Sequence, residues 1–280
     1  MTLLRTLLSG RTTRLAFVAA CAVLLVALFA PLLSSWDPDD IDLSQKLQAP
    51  SREHLLGTDH LGRDVLARLL HGARASLGSV AVIVAAILLL SLSVGSVAGY
   101  AGGMVDAFLM RLCDTFLTFP TFILAMFLIG ILGAGMTNVI LAIVCTHWAW
   151  YARIIRGLVL SLKTREHVLA ARVAGTGQFR LVMRHILPGV LPQILVLATL
   201  DIGHMMLHVS GLSFLGLGVQ PPTAEWGVMI NDARQYIWTQ PQLLFYPGLA
   251  IFVTVMAFNL LGDGLRDALD PVGETGGWGK

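Results

Sequence analysis

The sequence predicts an all-α membrane protein with about six transmembrane helices, and three features carry that expectation. Of its 280 residues, 56% are hydrophobic. Only 13% are charged, against about 25% in soluble domains. The apolar residues also gather into uncharged runs that approach or exceed the roughly 20 residues needed to cross a bilayer core.

The first run, Leu15 to Ser35, follows Arg5, Arg11 and Arg14 and is too long for the roughly 7–15-residue apolar region of a secretory signal. It reads as a retained first helix, ended by Trp36-Asp37-Pro38, an interfacial aromatic and a helix stop. Residues 37–74 are polar, and Asp64 to Arg74 has the pattern of an amphipathic surface helix ahead of a second span starting near Ser76. Gly99-Tyr-Ala-Gly-Gly103 marks the next turn. A third span is expected from about Phe108, kinked at Pro120. A hairpin near Gly130–Asn138 leads to a fourth span ending near Arg153 and Arg156. The fifth runs from Pro188 to about Gly218, and the last from about Leu243 to Leu261. This divides the chain into residues 1–74 (tail, first helix and outer segment), a five-helix core at 75–271, and a tail at 272–280.

Lys and Arg positions set the expected orientation. With the N-terminus cytoplasmic, inner segments hold 13 of these residues and outer segments 6. The net charge of +2 and the lack of basic stretches interleaved with aromatics exclude a nucleic-acid groove. Cys21, Cys113 and Cys145 have no CxxC spacing, so neither a disulfide framework nor a zinc site is expected. No GxxxxGK[ST] sequence is present, so any ATP that powers this chain is hydrolysed by a partner, and no cofactor is expected on the chain itself.

Residues 161–187 form a long polar interruption on the expected cytoplasmic side. Thr164 is placed to cap a short helix, Glu166 lies in its first turn, Ala170 and Ala171 are small helix formers, and Gly175 ends it. Small residues on an exposed helix let a partner approach closely. In the fifth span, Asp201, His204, Met205 and His208 fall within roughly 100° of one another at about 100° per residue. Imidazole suits several divalent transition metals, carboxylate is harder and thioether softer. The stripe therefore has two readings: contacts along the path of a metal complex, with His204 and His208 touching the metal transiently, or hydrogen bonding and gap-filling between helices. His147 has the same two readings, metal contact or packing, and its neighbours Trp148, Trp150, Tyr151 and Arg153 favour packing or a polar contact in the interfacial belt. Between Gln220 and Gln242, Thr223 is placed to cap a short helix containing Glu225, Trp226 and Arg234 that either lies on the membrane surface or meets a partner.

Ala170-Ala171, Gly175 and Leu187-Pro188, at the spacing AAxxxGx₁₁LP, resemble the coupling loop of ABC importer permeases. Leu169 stands where that motif carries glutamate, so Glu166 does not inherit the role directly. Leu56-Gly-Thr-Asp-His-Leu-Gly-Arg-Asp64 is similar to the LGTDxLGRD signature of the dipeptide, oligopeptide and nickel permease family. Gly99–Gly103 with Asp106, Arg111, Asp114 and Pro120, and Leu212–Gly218 followed by Pro221, Pro222, Trp226 and Gly227, match that family in the same order. The segments around His147, Asp201–His208 and Ala224–Trp238 resemble its nickel-type branch. The resemblance implies a type I ABC importer permease fold in the cell inner membrane. It also implies a second homologous permease, two ATPase subunits, an extracytoplasmic solute-binding protein docking near Glu225, Trp226 and Arg234, and nickel or a nickel chelate as cargo. A peptide permease remains the alternative within the family. An ion-coupled transporter using Asp201, His204 and His208 as a proton relay is the alternative outside it, although no inverted repeat is visible.

Overall fold

The computed structural model describes residues 10–269. The expected tail at 272–280 and Arg5 lie outside them. Ten α-helices carry the fold among the described residues, five of them long and apolar enough to cross a membrane and one further pair forming a bent sixth span.

Helix α1, Arg11–Leu33, starts four residues before its apolar run. Its buried residues are all alanines, Ala16, Ala20, Ala27 and Ala30, so its backbone lies close to its neighbours while its larger side chains face outward. Helix α2, Val65–Ala101, is unbroken over 37 residues. The expected surface helix at 64–74 is its first turns, and the boundary drawn at 74/75 falls inside it. No Gly or Pro signal interrupts this stretch strongly enough to end the helix, and the Asp64 carboxylate caps it by accepting from the Ala67 N–H at 2.6 Å. At about 1.5 Å per residue α2 is roughly 55 Å long, well beyond a bilayer core of about 30 Å.

The other Asp64 oxygen meets His54 Nδ1 at 2.9 Å, and both side chains are buried. Asp64→Ala therefore removes a cap worth about 1 kcal/mol and also takes the partner from Nδ1 of the buried His54, whose Nε2 keeps the Gln45 amide oxygen at 2.6 Å. A lowered Tm of the purified protein is the expected result; an unchanged Tm would contradict this role.

Gly102, at φ +69°, ends α2 and donates its N–H to the Ala98 carbonyl. Helix α3, Gly103–Leu117, follows, and then α4, Thr121–Leu132, bent 85° from α3. The expected kink at Pro120 is a full break. Proline has no N–H to continue the ladder, and here it becomes the residue preceding α4. The hairpin falls at Gly133–Gly135, where the Asn138 amide donates to the Leu132 and Gly133 carbonyls.

Helix α5, Met136–Leu162, runs two turns beyond the expected end at Arg156. Its cations are neutralised in place: Arg156 forms a bidentate pair with Asp106, and Arg153 pairs with Asp114. α2 and α5 form the tightest pairing in the bundle. Ser91, Gly95 and Gly99, four residues apart, present a small-residue face, and the Ser91 hydroxyl donates to the Trp148 carbonyl at 2.8 Å. A Cβ on Gly95 would lie 2.6 Å from the Ala152 carbonyl oxygen, and one on Gly99 2.9 Å from that of Arg156. This spacing was legible as a membrane helix-packing signal.

Helix α6, Glu166–Val173, lies in the polar loop that follows α5. Helix α7, Gln178–Leu181, continues through a π-turn at Val182–Ile186 into α8, Leu187–Phe214. Helix α9, Trp226–Ala233, and α10, Gln242–Leu269, complete the chain, the last span starting one residue early and running two turns past Leu261.

Candidate functional site

The polar loop that follows α5 presents most of its expected residues outward. Arg165, not Thr164, precedes α6; the Thr164 hydroxyl donates instead to the Ser161 carbonyl at 3.0 Å. Glu166 occupies the first turn, and Val168 is fully buried, fixing the helix to the bundle. Glu166, Ala170 and Gly175 are exposed, as is Pro188, while Ala171 and Leu187 are partly buried. Gly175 adopts φ +81° with its N–H on the Arg172 carbonyl, and the Thr176 N–H bonds the Ala171 carbonyl. Val173 and Phe179 stand 89% and 80% exposed on either side of this turn. An apolar pair held out by a rigid turn is a surface made for contact.

The second cluster lies within the membrane span. A cavity of 290 Å³ is lined by Leu117 of α3, Thr121 of α4, Thr146, His147 and Trp150 of α5, and Asp201, His204 and His208 of α8. The break at Pro120 thus places the end of α3 and the start of α4 against the same space. Asp201 is buried at its centre: His147 Nε2 lies 3.3 Å from one carboxylate oxygen and His204 Nδ1 3.5 Å from the other. The His147 contact is at ion-pair distance but off the hydrogen-bond axis, so its Nε2 remains unsatisfied. The His208 Nδ1 donates to the His204 carbonyl at 2.8 Å, which leaves Nε2 of the neutral ring as an acceptor.

Two expectations change here. Met205 is fully buried in the core and does not line the cavity, because it follows His204 by one residue and so turns about 100° away. His147 is not interfacial: it lies near the middle of α5, which extends to Leu162, and joins the cavity. Only a long-range contact shows this, and a lone histidine in an aromatic segment gave no such signal. Among the described residues, no three His, Cys, Asp or Glu side chains converge closely enough to hold a metal ion. His204 and His208 thus offer nitrogen contacts without forming a coordination cage.

At the end of the bundle where α2 begins, α9 is packed inside the protein. Glu225, not Thr223, caps it, accepting from the Val228 N–H at 3.1 Å with one oxygen and from the Ser76 hydroxyl at 2.7 Å with the other. Trp226 is buried and donates its indole N–H to the Leu69 carbonyl at 3.0 Å. Of Glu225, Trp226 and Arg234, only Arg234 is exposed. The surface-helix reading fails because Trp226, Val228 and Met229 face the bundle.

The Leu56–Asp64 motif folds into a knot over α2. Arg63 and Arg68, both almost fully buried, share Asp59 and Asp232, and Arg68 also donates to the Pro38 and Pro222 carbonyls at 3.0 Å. Beside them His60 is half-buried against Tyr236, and burial, opposed by Asp59 and Asp232, lowers its pKa from the usual histidine value. The residue types of this motif thus serve the fold.

Ionisable groups halfway along membrane helices, gathered round one cavity, fit the class of membrane transport proteins. The family of binding-protein-dependent transport system inner membrane components matches residues 91–272, and the chain belongs to it. It therefore has the type I ABC importer permease fold and acts as a non-enzymatic transport subunit in a membrane. This membership sets aside the ion-coupled alternative.

The chain is 57% identical over 265 residues to the nickel transport system permease protein NikC of Escherichia coli (strain K12), covering 94% of this chain and 96% of that one. It is 41% identical over 271 residues to the metal-staphylopine import system permease protein CntC of Staphylococcus aureus (strain NCTC 8325 / PS 47), covering 97% and 94%. It is 42% identical over 248 residues to the dipeptide transport system permease protein DppC of Alkalihalophilus pseudofirmus, covering 89% and 82%.

Proposed function

We propose that this chain moves nickel, as the ion or a chelate, into the cytoplasm. It does so together with a second homologous permease, two ATPase subunits and an extracytoplasmic solute-binding protein. The observation that carries the cargo is the cavity of His147, Asp201, His204 and His208. Imidazole nitrogens around one carboxylate suit a divalent metal complex, and their failure to converge suits cargo that must leave again. The similarity to permeases named for nickel and for metal-staphylopine import supports the same cargo class.

His204 is largely exposed on the flank of α8, and a polar imidazole against lipid is costly, so the second permease covers this face. The N-terminus is cytoplasmic. ATP binding draws the ATPases together, and the turn from Ala170 to Gly175 passes that closure through α7 and the π-turn into α8, opening the cavity outward. Arg234 contributes to docking of the binding protein, while Glu225 and Trp226 anchor the helix leading to it.

Uptake of radioactive nickel by the reconstituted transporter, with peptides as competitors, tests the cargo. ATP-dependent nickel uptake that peptides leave unchanged is expected; peptide uptake without nickel uptake would overturn the reading in favour of a peptide permease. Replacing both His204 and His208 by leucine should lower nickel uptake by about tenfold or more with assembly retained. Equal losses of uptake and assembled complex would instead assign the pair a structural role.

A further inference from the structure

Two further cavities lie along α1, and neither shares a lining residue with the cavity at Asp201. The first, of 330 Å³, is bounded by Ala22, Val23 and Val26 of α1, Leu69, Leu70 and Ala73 of α2, Trp226, and Tyr246, Leu249, Ala250 and Val253 of α10. Its exposed lining is entirely carbon, since the Trp226 indole N–H is already spent on the Leu69 carbonyl. The second, of 420 Å³, has polar walls: Leu33, Ser34, Ser35 and Trp36 at the end of α1, Arg52, Glu53 and Leu55 in the outer loop, and Asp64, Leu66 and Ala67 at the start of α2.

The two share helix flanks. On α1, Val26 and Leu33 are seven residues apart, about two turns, and fall on the same side. On α2, Leu66, Leu70 and Ala73 form one i, i+4, i+7 stripe. From Ala22 to Leu33 the groove spans about 16 Å at 1.5 Å per residue, close to half of a bilayer core of about 30 Å. Trp36, 40% exposed with its indole N–H on the Glu53 carbonyl at 3.1 Å, stands where the polar part begins, the position of an interfacial tryptophan.

We infer that this groove is a site for one glycerophospholipid of the outer leaflet, an acyl chain in the carbon-lined slot and a zwitterionic headgroup in the polar mouth. The exposed Arg52 guanidinium meets the phosphate, and the adjacent Glu53 carboxylate meets an ammonium, so the charge pattern fits phosphatidylethanolamine better than an anionic lipid. The lipid also explains how α1 stays in place. Beside the face where its alanines meet the bundle, an acyl chain packs on Ala22, Val23 and Val26 and adds apolar contact to α2 and α10.

The test uses the full-length chain purified in mild detergent, delipidated, and titrated with palmitoyl-oleoyl phosphatidylethanolamine or the matching phosphatidylglycerol, with bound lipid read by native mass spectrometry. A single tightly held phosphatidylethanolamine is expected, with phosphatidylglycerol held more weakly. Ala22→Trp and Leu249→Trp, from two different helices and both at exposed positions, should each fill the slot and remove that lipid. Arg52→Glu should reduce retention while circular dichroism stays unchanged. Equal retention by the wild type and by both tryptophan variants would overturn the site. Equal retention of the two lipids would overturn the headgroup assignment. Crosslinking of another protein's transmembrane helix to Ala22→Cys in native membranes, with no lipid retained, would show that a protein fills the groove instead.

Discussion

Replacing Gly95 by leucine is expected to prevent the protein from accumulating in the membrane. The Cβ alone would lie 2.6 Å from the Ala152 carbonyl oxygen and 2.8 Å from Ile155 Cβ, before any of the remaining side chain is placed. Overpacking in a core typically costs about 1–3 kcal/mol, and this case lies at or above the upper end, because a backbone carbonyl cannot swing aside as a flexible side chain can. The only relief is to separate α2 from α5. That would also pull the Ser91 hydroxyl from the Trp148 carbonyl and the Lys163 ammonium from the Gly99 carbonyl. Immunoblots of membrane fractions, compared with Gly78→Leu on the same helix, provide the check. A Cβ at Gly78 meets nothing within 4 Å, so that variant should accumulate normally. Equal levels of the two variants would contradict the close pairing of α2 and α5.

Gly175→Arg is expected to abolish ATP-driven uptake while the chain still inserts and folds. No atom lies within 4 Å of a Cβ built at Gly175, which is exposed, so a side chain has open space in which to leave the backbone. The internal cost of the substitution is the φ of +81°, about 1–2 kcal/mol for a non-glycine residue. Gly175→Asn separates this strain from bulk, since asparagine tolerates the left-handed region and is far smaller. Uptake retained in the asparagine variant and lost in the arginine variant, at similar levels of both proteins in the membrane, would place an ATPase surface against the turn. Unchanged uptake in the arginine variant would remove the turn from the coupling path.

Local chemistry made much of this fold readable. Apolar runs disclosed the spans, and the Gly–Gly turn and the hairpin at Gly133–Gly135 fell where glycine and asparagine put them. The errors arose where one residue admits two roles. Asp64 does cap a helix, but the charged stretch to Arg74 looked separate from the apolar span because only the fold shows Arg68 buried among acids and the helix running on unbroken. Pro120 reads as a kink or a break with equal ease, and tertiary packing chose the break. Thr164 and Thr223 were plausible caps, yet other residues took those positions, with the Glu225 carboxylate gaining Ser76 as a second partner. The cavity was half visible. The spacing of Asp201, His204 and His208 placed them together on α8, but helical spacing alone could not show that Met205 turns into the core or that His147 reaches Asp201 from another helix.

The knot over the start of α2 has a consequence for the order in which the chain is made. Arg63 and Arg68 emerge early, and their shared acid Asp232 follows 169 residues after Arg63. At about 5–20 residues per second, synthesis of that interval takes roughly 8–34 s. For that time α2 is already available for insertion while two arginines near its N-terminal end lack one of their final counter-charges. This end of the bundle is therefore closed late, when the final third of the chain arrives.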